Sequence, residues 1–127
     1  TENLLILVLV IVLLVLVVMF VRNNRENFRS QAVVLHVFVV DWCPHCTRAK
    51  PEVAQLKNNL ANNGNKVNNK NVRVNLVDAE ENNELAKKHN VSAYPTCLLE
   101  LPSGETVPFN ENVTSNNLQE FLNNNVN

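Results

Sequence analysis

Two cysteines, Cys43 and Cys46, are separated by Pro44 and His45 in the stretch DWCPHC. Thiols at this spacing can exchange electrons with a disulfide in two steps. One thiolate attacks and forms a mixed disulfide, and the second thiol then releases the bound partner. The sequence therefore predicts Cys43, Cys46 and His45 as catalytic residues, with Cys43 as the attacking group and Cys46 as the resolving group.

The sequence on either side of the pair predicts where it lies in the fold. The run AVVLHVFVV before it is typical of a strand buried on both faces, and CPHCTRAKPEVAQLKNNLANNG after it has helical spacing of apolar residues. The pair should thus lie on the first turn of a helix, where free backbone N–H groups and the helix dipole stabilise a thiolate. A protonated His45 would add positive charge, and both effects favour the dithiol over the disulfide.

Two other uses of the pair stay open. Half of a zinc site would need two further ligands, and the remaining candidates, Cys97, His36 and His89, form no second spaced pair. The pair could also be an inert structural disulfide. Cys97 is expected to be a small buried hydrophobic residue, His36 a packed strand residue and His89 a residue at a helix end. We predict no metal site, and no cofactor other than a redox-active disulfide between Cys43 and Cys46.

A separate apolar segment precedes the pair. Residues 4–21 contain no charged or hydrogen-bonding side chain, and at ~1.5 Å per residue they nearly match a ~30 Å hydrocarbon core. Glu2 before the run and arginines after it favour an uncleaved anchor over a signal peptide. The predicted organisation is a transmembrane anchor over residues 1–22, a juxtamembrane linker over 23–31 and a folded domain over 32–127.

The arginines beside the span predict its orientation. Arg22, Arg25 and Arg29 come directly after the apolar run, and the positive-inside tendency places the folded domain in the cytosol. The lumenal face stays open as an alternative. Two N-glycosylation patterns, Asn90-Val91-Ser92 and Asn112-Val113-Thr114, would stay unmodified in the cytosol.

Composition excludes one class of partner and leaves one anomaly. The formal net charge is -1, and no block of basic residues is present, so nucleic acid is not an expected partner. About a fifth of the residues are asparagine, often in pairs. They fall mostly where polar faces and turns are predicted.

The order of predicted elements defines the fold class. After the strand and helix around the pair come a strand in NVRVNLVDA, a helix in EENNELAKKHN, a strand in CLLEL, an edge strand in TVPFN and a last helix capped by Thr114 or Ser115. A βαβ unit followed by ββα predicts an α/β domain with a mixed central sheet flanked by helices.

Several spaced motifs together carry a family resemblance. DWCPHC at a strand-to-helix turn, Pro51 eight residues after Cys43, and VSAYPT some fifty residues further on resemble the thioredoxin superfamily over residues 32–126. KPEVAQL and VDAEENNELAKKHNVSAYPT are similar to the active domains of protein disulfide isomerases. The expected architecture is therefore a thioredoxin-like fold preceded by one transmembrane helix.

The resemblance implies a substrate-binding surface and shows one departure. It implies a cis peptide between Tyr94 and Pro95 in a loop beside Cys43, with Trp42, Tyr94, Pro95 and Thr96 contacting the substrate. The family often places a buried carboxylate six residues before the first cysteine, where this chain has Val37. Slower resolution by Cys46 is expected.

The predicted function is a membrane-anchored thiol-disulfide oxidoreductase that acts on protein thiols and disulfides, with residues 4–21 in the lipid bilayer. The alternative is a membrane-anchored structural or docking component of a larger assembly, such as a virus particle, that retains the fold. The direction of electron flow stays undecided. A helix end and His45 make the pair oxidising, whereas a cytosolic location would keep it reduced.

Overall fold

The computed structural model describes residues 1–127, except for the side chains of residues 28–30. The chain forms two compact units, Thr1–Gln31 and Ala32–Asn127. The first unit is a single helix, α1 (Glu2–Ser30). Every side chain from residue 4 to residue 21 exposes 45% to 66% of its surface, so these residues are not part of a protein core.

Helix α1 is the one helix in the described part of the chain that is long and apolar enough to cross a membrane. A signal sequence near an N-terminus has the same properties. The polar stretch expected to link anchor and domain continues the helix as far as Ser30. Arg22 and Arg25 are exposed on it, and the Arg29 side chain lies outside the described residues.

The second unit contains a five-stranded sheet in the order β2-β3-β1-β4-β5. Its strands are β1 (Val33–Val39), β2 (Lys66–Val67), β3 (Lys70–Asp78), β4 (Thr96–Glu100) and β5 (Thr106–Phe109). β1 pairs with β3 in parallel and with β4 antiparallel, so the sheet is mixed, as predicted.

Strand β1 is the centre of the sheet, as its uninterrupted apolar sequence predicted. All seven of its residues are buried, because helices cover both faces and strands flank both edges. β5 lies at one edge, where Pro108 removes a backbone donor at little cost. The predicted central strand and the predicted edge strand are both confirmed.

Three helices complete the second unit: α2 (Pro44–Asn62), α3 (Asn83–Lys88) and α4 (Ser115–Asn125). α2 and α4 pack together, and the carboxylate of Glu52 accepts a hydrogen bond from the backbone N–H of Ser115 at 2.7 Å. Thr114 caps α4 by accepting a hydrogen bond from the N–H of Asn117 at 3.1 Å. Leu118 and Leu122 of α4 are fully buried in the core.

Two elements differ from the prediction. β2 was not predicted; it forms a hairpin with β3 through Asn68 and Asn69, whose φ angles of 49° and 64° are left-handed. Asparagine tolerates that conformation better than most residues, so part of the asparagine content has a structural role. Helix α3 is shorter than predicted, since residues 79–82 form a turn before it.

Candidate active site

The cysteine pair lies where β1 gives way to α2. Cys43 is the N-cap residue of α2, with extended backbone angles, and Pro44 opens the helix. Proline is favoured at this position because the first helical N–H has no partner within the helix. Cys43 keeps 7% of its surface exposed, while Cys46 has none. The more accessible thiol is therefore the one at the end of the helix.

Both thiols are free. Their positions at the start of α2 shift their pKa values in opposite directions. The backbone N–H of Cys46 lowers the pKa of Cys43, with further lowering from the Cys46 thiol and the backbone N–H of His45; partial burial opposes them. Burial raises the pKa of Cys46, and the nearby charge of Lys50 offsets part of that increase. The accessible thiol ionises first, as a nucleophile requires.

The backbone N–H of His45 is one of the groups that lower the pKa of Cys43. Its side chain is exposed, and the effect of its charge on Cys43 stays a prediction. The backbone contribution comes from the helix start and does not depend on the imidazole.

The loop before β4 lies against the pair. The Sγ atom of Cys43 donates a hydrogen bond to the carbonyl oxygen of Tyr94 at 3.6 Å. The peptide between Tyr94 and Pro95 is cis. Thr96 closes this loop by donating from its hydroxyl to the carbonyl of Ala93 at 2.6 Å. The structure thus brings Tyr94, Pro95 and Thr96 to the same side of the domain as Cys43.

Trp42 is a large exposed aromatic surface beside Cys43. Its side chain is 70% exposed and meets the Tyr94 ring edge-on, with ring centroids 6.5 Å apart. The indole Nε1 donates a hydrogen bond to a carboxylate oxygen of Glu80 at 2.7 Å. An exposed tryptophan held in place from two sides can receive an apolar group of a protein substrate.

Lys50 is a further residue near the pair that the sequence did not single out. Its Nζ atom forms a 2.8 Å ion pair with the carboxylate of Asp41, and the hydrogen bond that it donates there raises the pKa of Lys50. It lies one helical turn after Cys46, and its charge lowers the pKa of that thiol. The i, i+4 spacing of Cys46 and Lys50 on α2 was the available signal.

The floor of the site is apolar. Val37 is fully buried and stands opposite Leu76 on β3 and Cys97 on β4. Cys97 is buried, as predicted, and its burial, followed by the charge of Cys46, raises its pKa to about 12. The face of the sheet that carries Val37 and Cys97 is therefore the face toward Cys46, and valine provides no proton acceptor there.

A second group of polar residues, absent from the sequence prediction as a group, lies on the other face of the sheet. Three side chains contact one another there: His36 of β1, His89 at the end of α3 and Glu100 of β4. Side chains alternate along a strand, so His36 faces away from Val37. The hydrogen bond from His36 lowers the pKa of Glu100, and burial lowers the pKa of His89.

The mixed sheet and the Cys43–Cys46 pair at the start of α2 are features of thioredoxin-like proteins, and comparison with known proteins gives the same class. Residues 17–124 match the family model for thioredoxin, so the chain belongs to the thioredoxin family. Its relatives are of the protein-disulfide-isomerase type. It is 34% identical over 88 residues to protein disulfide isomerase-like 1-4 of Arabidopsis thaliana, covering 69% of this chain and 13% of that protein.

Two further similarities support this placement. The chain is 32% identical over 104 residues to a probable protein disulfide-isomerase A6 of Medicago sativa, covering 77% of this chain and 27% of that protein. The first thioredoxin domain of mouse protein disulfide-isomerase A4 superposes with a TM-score of 0.61 at 27% identity, covering 80% of this chain and 71% of that one. The chain thus spans about a quarter or less of these two curated relatives, and it has a thiol-disulfide oxidoreductase-type domain.

Proposed function

We propose that this chain is a membrane-anchored thiol-disulfide oxidoreductase that exchanges disulfides with protein substrates through Cys43 and Cys46. The observation that carries this proposal is the contrast between the two thiols at the start of α2. The partly accessible thiol has a lowered pKa, and the fully buried thiol has a raised pKa. An inert structural disulfide has no need of such a contrast.

The exchange balances without any bound cofactor. The Cys43 thiolate attacks one sulfur of a substrate disulfide, forming a mixed disulfide and releasing the other substrate sulfur as a thiolate. Cys46 then loses its proton and attacks the Cys43 sulfur, releasing the second substrate sulfur. The substrate gains two electrons, and the chain is left with a Cys43–Cys46 disulfide. Run backward, the same steps oxidise a substrate dithiol.

Substrate binding is assigned to the surface around Cys43. Trp42 supplies an apolar platform, while Tyr94, Pro95 and Thr96 supply the loop against which an extended substrate segment would lie. The hydrogen bond between the Cys43 thiol and the Tyr94 carbonyl supports this assignment, because it fixes the loop next to the reacting sulfur. His45 acts here through its backbone N–H.

A trapping experiment tests this mechanism. Replacing Cys46 by serine removes the second step, so the variant should accumulate mixed disulfides with partner proteins. A reductant should cleave these mixed disulfides. Cys43→Ser should trap none. If Cys43→Ser traps partners and Cys46→Ser does not, the roles are reversed; if neither variant does, the pair does not exchange disulfides with proteins.

The anchor is assigned to residues 4–21, with the domain on the cytosolic face. The exposure of these residues and the arginines after them support this assignment. Asn90 and Asn112, which begin the two glycosylation patterns, are exposed. Expression in a cell that glycosylates secreted proteins should leave both without sugar, whereas a sugar removed by an N-glycosidase would place the domain in the lumen.

A further inference from the structure

The cluster of His36, His89 and Glu100 lies on the sheet face opposite the cysteine pair. Its residues come from two strands, β1 and β4, and from the end of helix α3. The Nε2 atom of His36 lies 2.8 Å from Oε2 of Glu100, and Nε2 of His89 lies 3.6 Å from the same oxygen. One donor atom from each of the three residues lies within 4.8 Å of the others. Two imidazoles and one carboxylate therefore point into a common space.

One buried atom of this cluster lacks a hydrogen-bond partner among the residues that the structure describes. The His89 side chain is only 6% exposed, and its Nε2 makes no hydrogen bond. The 3.6 Å distance to Glu100 is too long for one. Buried polar atoms in native proteins are almost always satisfied, so an unsatisfied nitrogen aimed at a carboxylate points to a missing partner between them.

The distances suit a divalent cation. Zinc bonds of about 2.0–2.2 Å in a tetrahedral site place neighbouring ligand atoms roughly 3.3 Å apart. The two distances to the Glu100 oxygen bracket that value. Small side-chain movements would thus let one ion replace the His36–Glu100 hydrogen bond and satisfy His89 at the same time. Two histidines and one glutamate are also a set of ligands that zinc uses, with water at the fourth position.

Neighbouring residues fit the same arrangement. Asn75 on β3 lies 3.2 Å from Nδ1 of His36, through the side-chain amide nitrogen. Turning that amide over would present its oxygen to an Nδ1–H, which is how metal-binding histidines are oriented. Lys88 lies 3.8 Å from the other oxygen of Glu100, Oε1, so it leaves Oε2 directed at the histidines.

We propose that His36, His89 and Glu100 form a zinc site, with His36 Nε2, His89 Nε2 and Glu100 Oε2 as ligands. The site is separate from the cysteine pair and requires no redox activity. It takes one ligand from β1, one from β4 and one from the end of α3. A bound ion would therefore fasten α3 to the sheet.

The test uses the full chain in detergent micelles, carrying Cys43→Ser and Cys46→Ser so that the pair cannot bind metal. Calorimetric titration with zinc chloride should show one ion per chain, and the ion should raise the thermal unfolding temperature. His89→Gln should weaken binding at least 100-fold. His45→Gln, which removes the third histidine of the chain, is the matched control and should bind as before.

A second measurement does not depend on the ligand variants folding. Cobalt(II) added to the same protein should give the visible bands of a four-coordinate ion with nitrogen and oxygen ligands. Sulfur-to-cobalt charge-transfer bands would instead assign the metal to Cys97 and overturn the proposal. Absence of saturable zinc binding, or unchanged binding in a folded His89→Gln protein, would also overturn it. Asn75→Leu should weaken binding about 10–100-fold, and Asn75→Asp should restore it.

Discussion

Replacing Val37 by glutamate would place a carboxyl group on the apolar floor beneath the Cys46 thiol. In the proposed exchange Cys46 must lose its proton to attack the mixed disulfide, yet its burial raises its pKa. Val37 is fully buried on the sheet face toward Cys46 and provides no proton acceptor. We expect Val37→Glu to accelerate the release step.

Burial of residue 37 determines both how much the release step is accelerated and how much stability the variant loses. A positioned general base contributes roughly 10²–10⁴-fold, and because a buried carboxyl is partly protonated at neutral pH, we expect about a tenfold faster release. A larger side chain in a filled core costs about 1–3 kcal/mol. A buried neutral carboxyl costs about 1–3 kcal/mol more. The total of about 2–6 kcal/mol leaves a typical domain marginally folded.

The measurement is a single-turnover release. Reaction of Cys43 with an aromatic disulfide reagent forms a mixed disulfide and releases one coloured thiol, and attack by Cys46 on the Cys43 sulfur releases a second coloured thiol. Stopped-flow absorbance records the second phase as the release rate. Val37→Gln is the matched control, because it has nearly the same shape and burial cost but accepts no proton. Equal release rates for the glutamate and glutamine variants would refute the idea that a missing base limits Cys46.

Further predictions concern the thiols and the packing around them. The alkylation rate of Cys43 should rise with pH through a midpoint below the ordinary thiol value, because the N-terminal N–H groups of α2 lower its pKa; a midpoint at or above that value would contradict this. Lys50→Met should raise the pKa of Cys46 and move the release step to higher pH, while Lys50→Arg should preserve it, as stopped-flow pH profiles would show. Leu118→Ala should lower the free energy of unfolding by about 2–5 kcal/mol in urea denaturation, since the side chain is fully buried. Thr114→Ala should lower it by about 1 kcal/mol through loss of the α4 cap, and Thr114→Ser should not.

Local patterns in the sequence predicted the elements that depend on local physics. A continuous β-branched run predicted the buried central strand, and the helical spacing of apolar residues after it predicted that Cys43 and Cys46 lie at the start of α2. The cap at Thr114 was one of two predicted candidates. Each of these features is set by residues within about one turn or strand of each other.

Features that depend on distant contacts were not predictable in the same way. His36, His89 and Glu100 are separated by 53 and 11 positions and meet only when α3 packs on the sheet. The hairpin at Asn68 and Asn69 escaped prediction because its glycine-free turn relies on left-handed asparagines.

The exposed indole next to Cys43 gives this protein an internal optical reporter. Trp42 is the only tryptophan in the sequence, so ultraviolet emission from indole comes from a single position. Its contacts with Glu80 and Tyr94 hold the ring next to Cys43. A neighbouring disulfide quenches indole emission more strongly than a thiol does. The oxidation state of Cys43 and Cys46 can therefore be followed from the fluorescence of the unlabelled, purified protein.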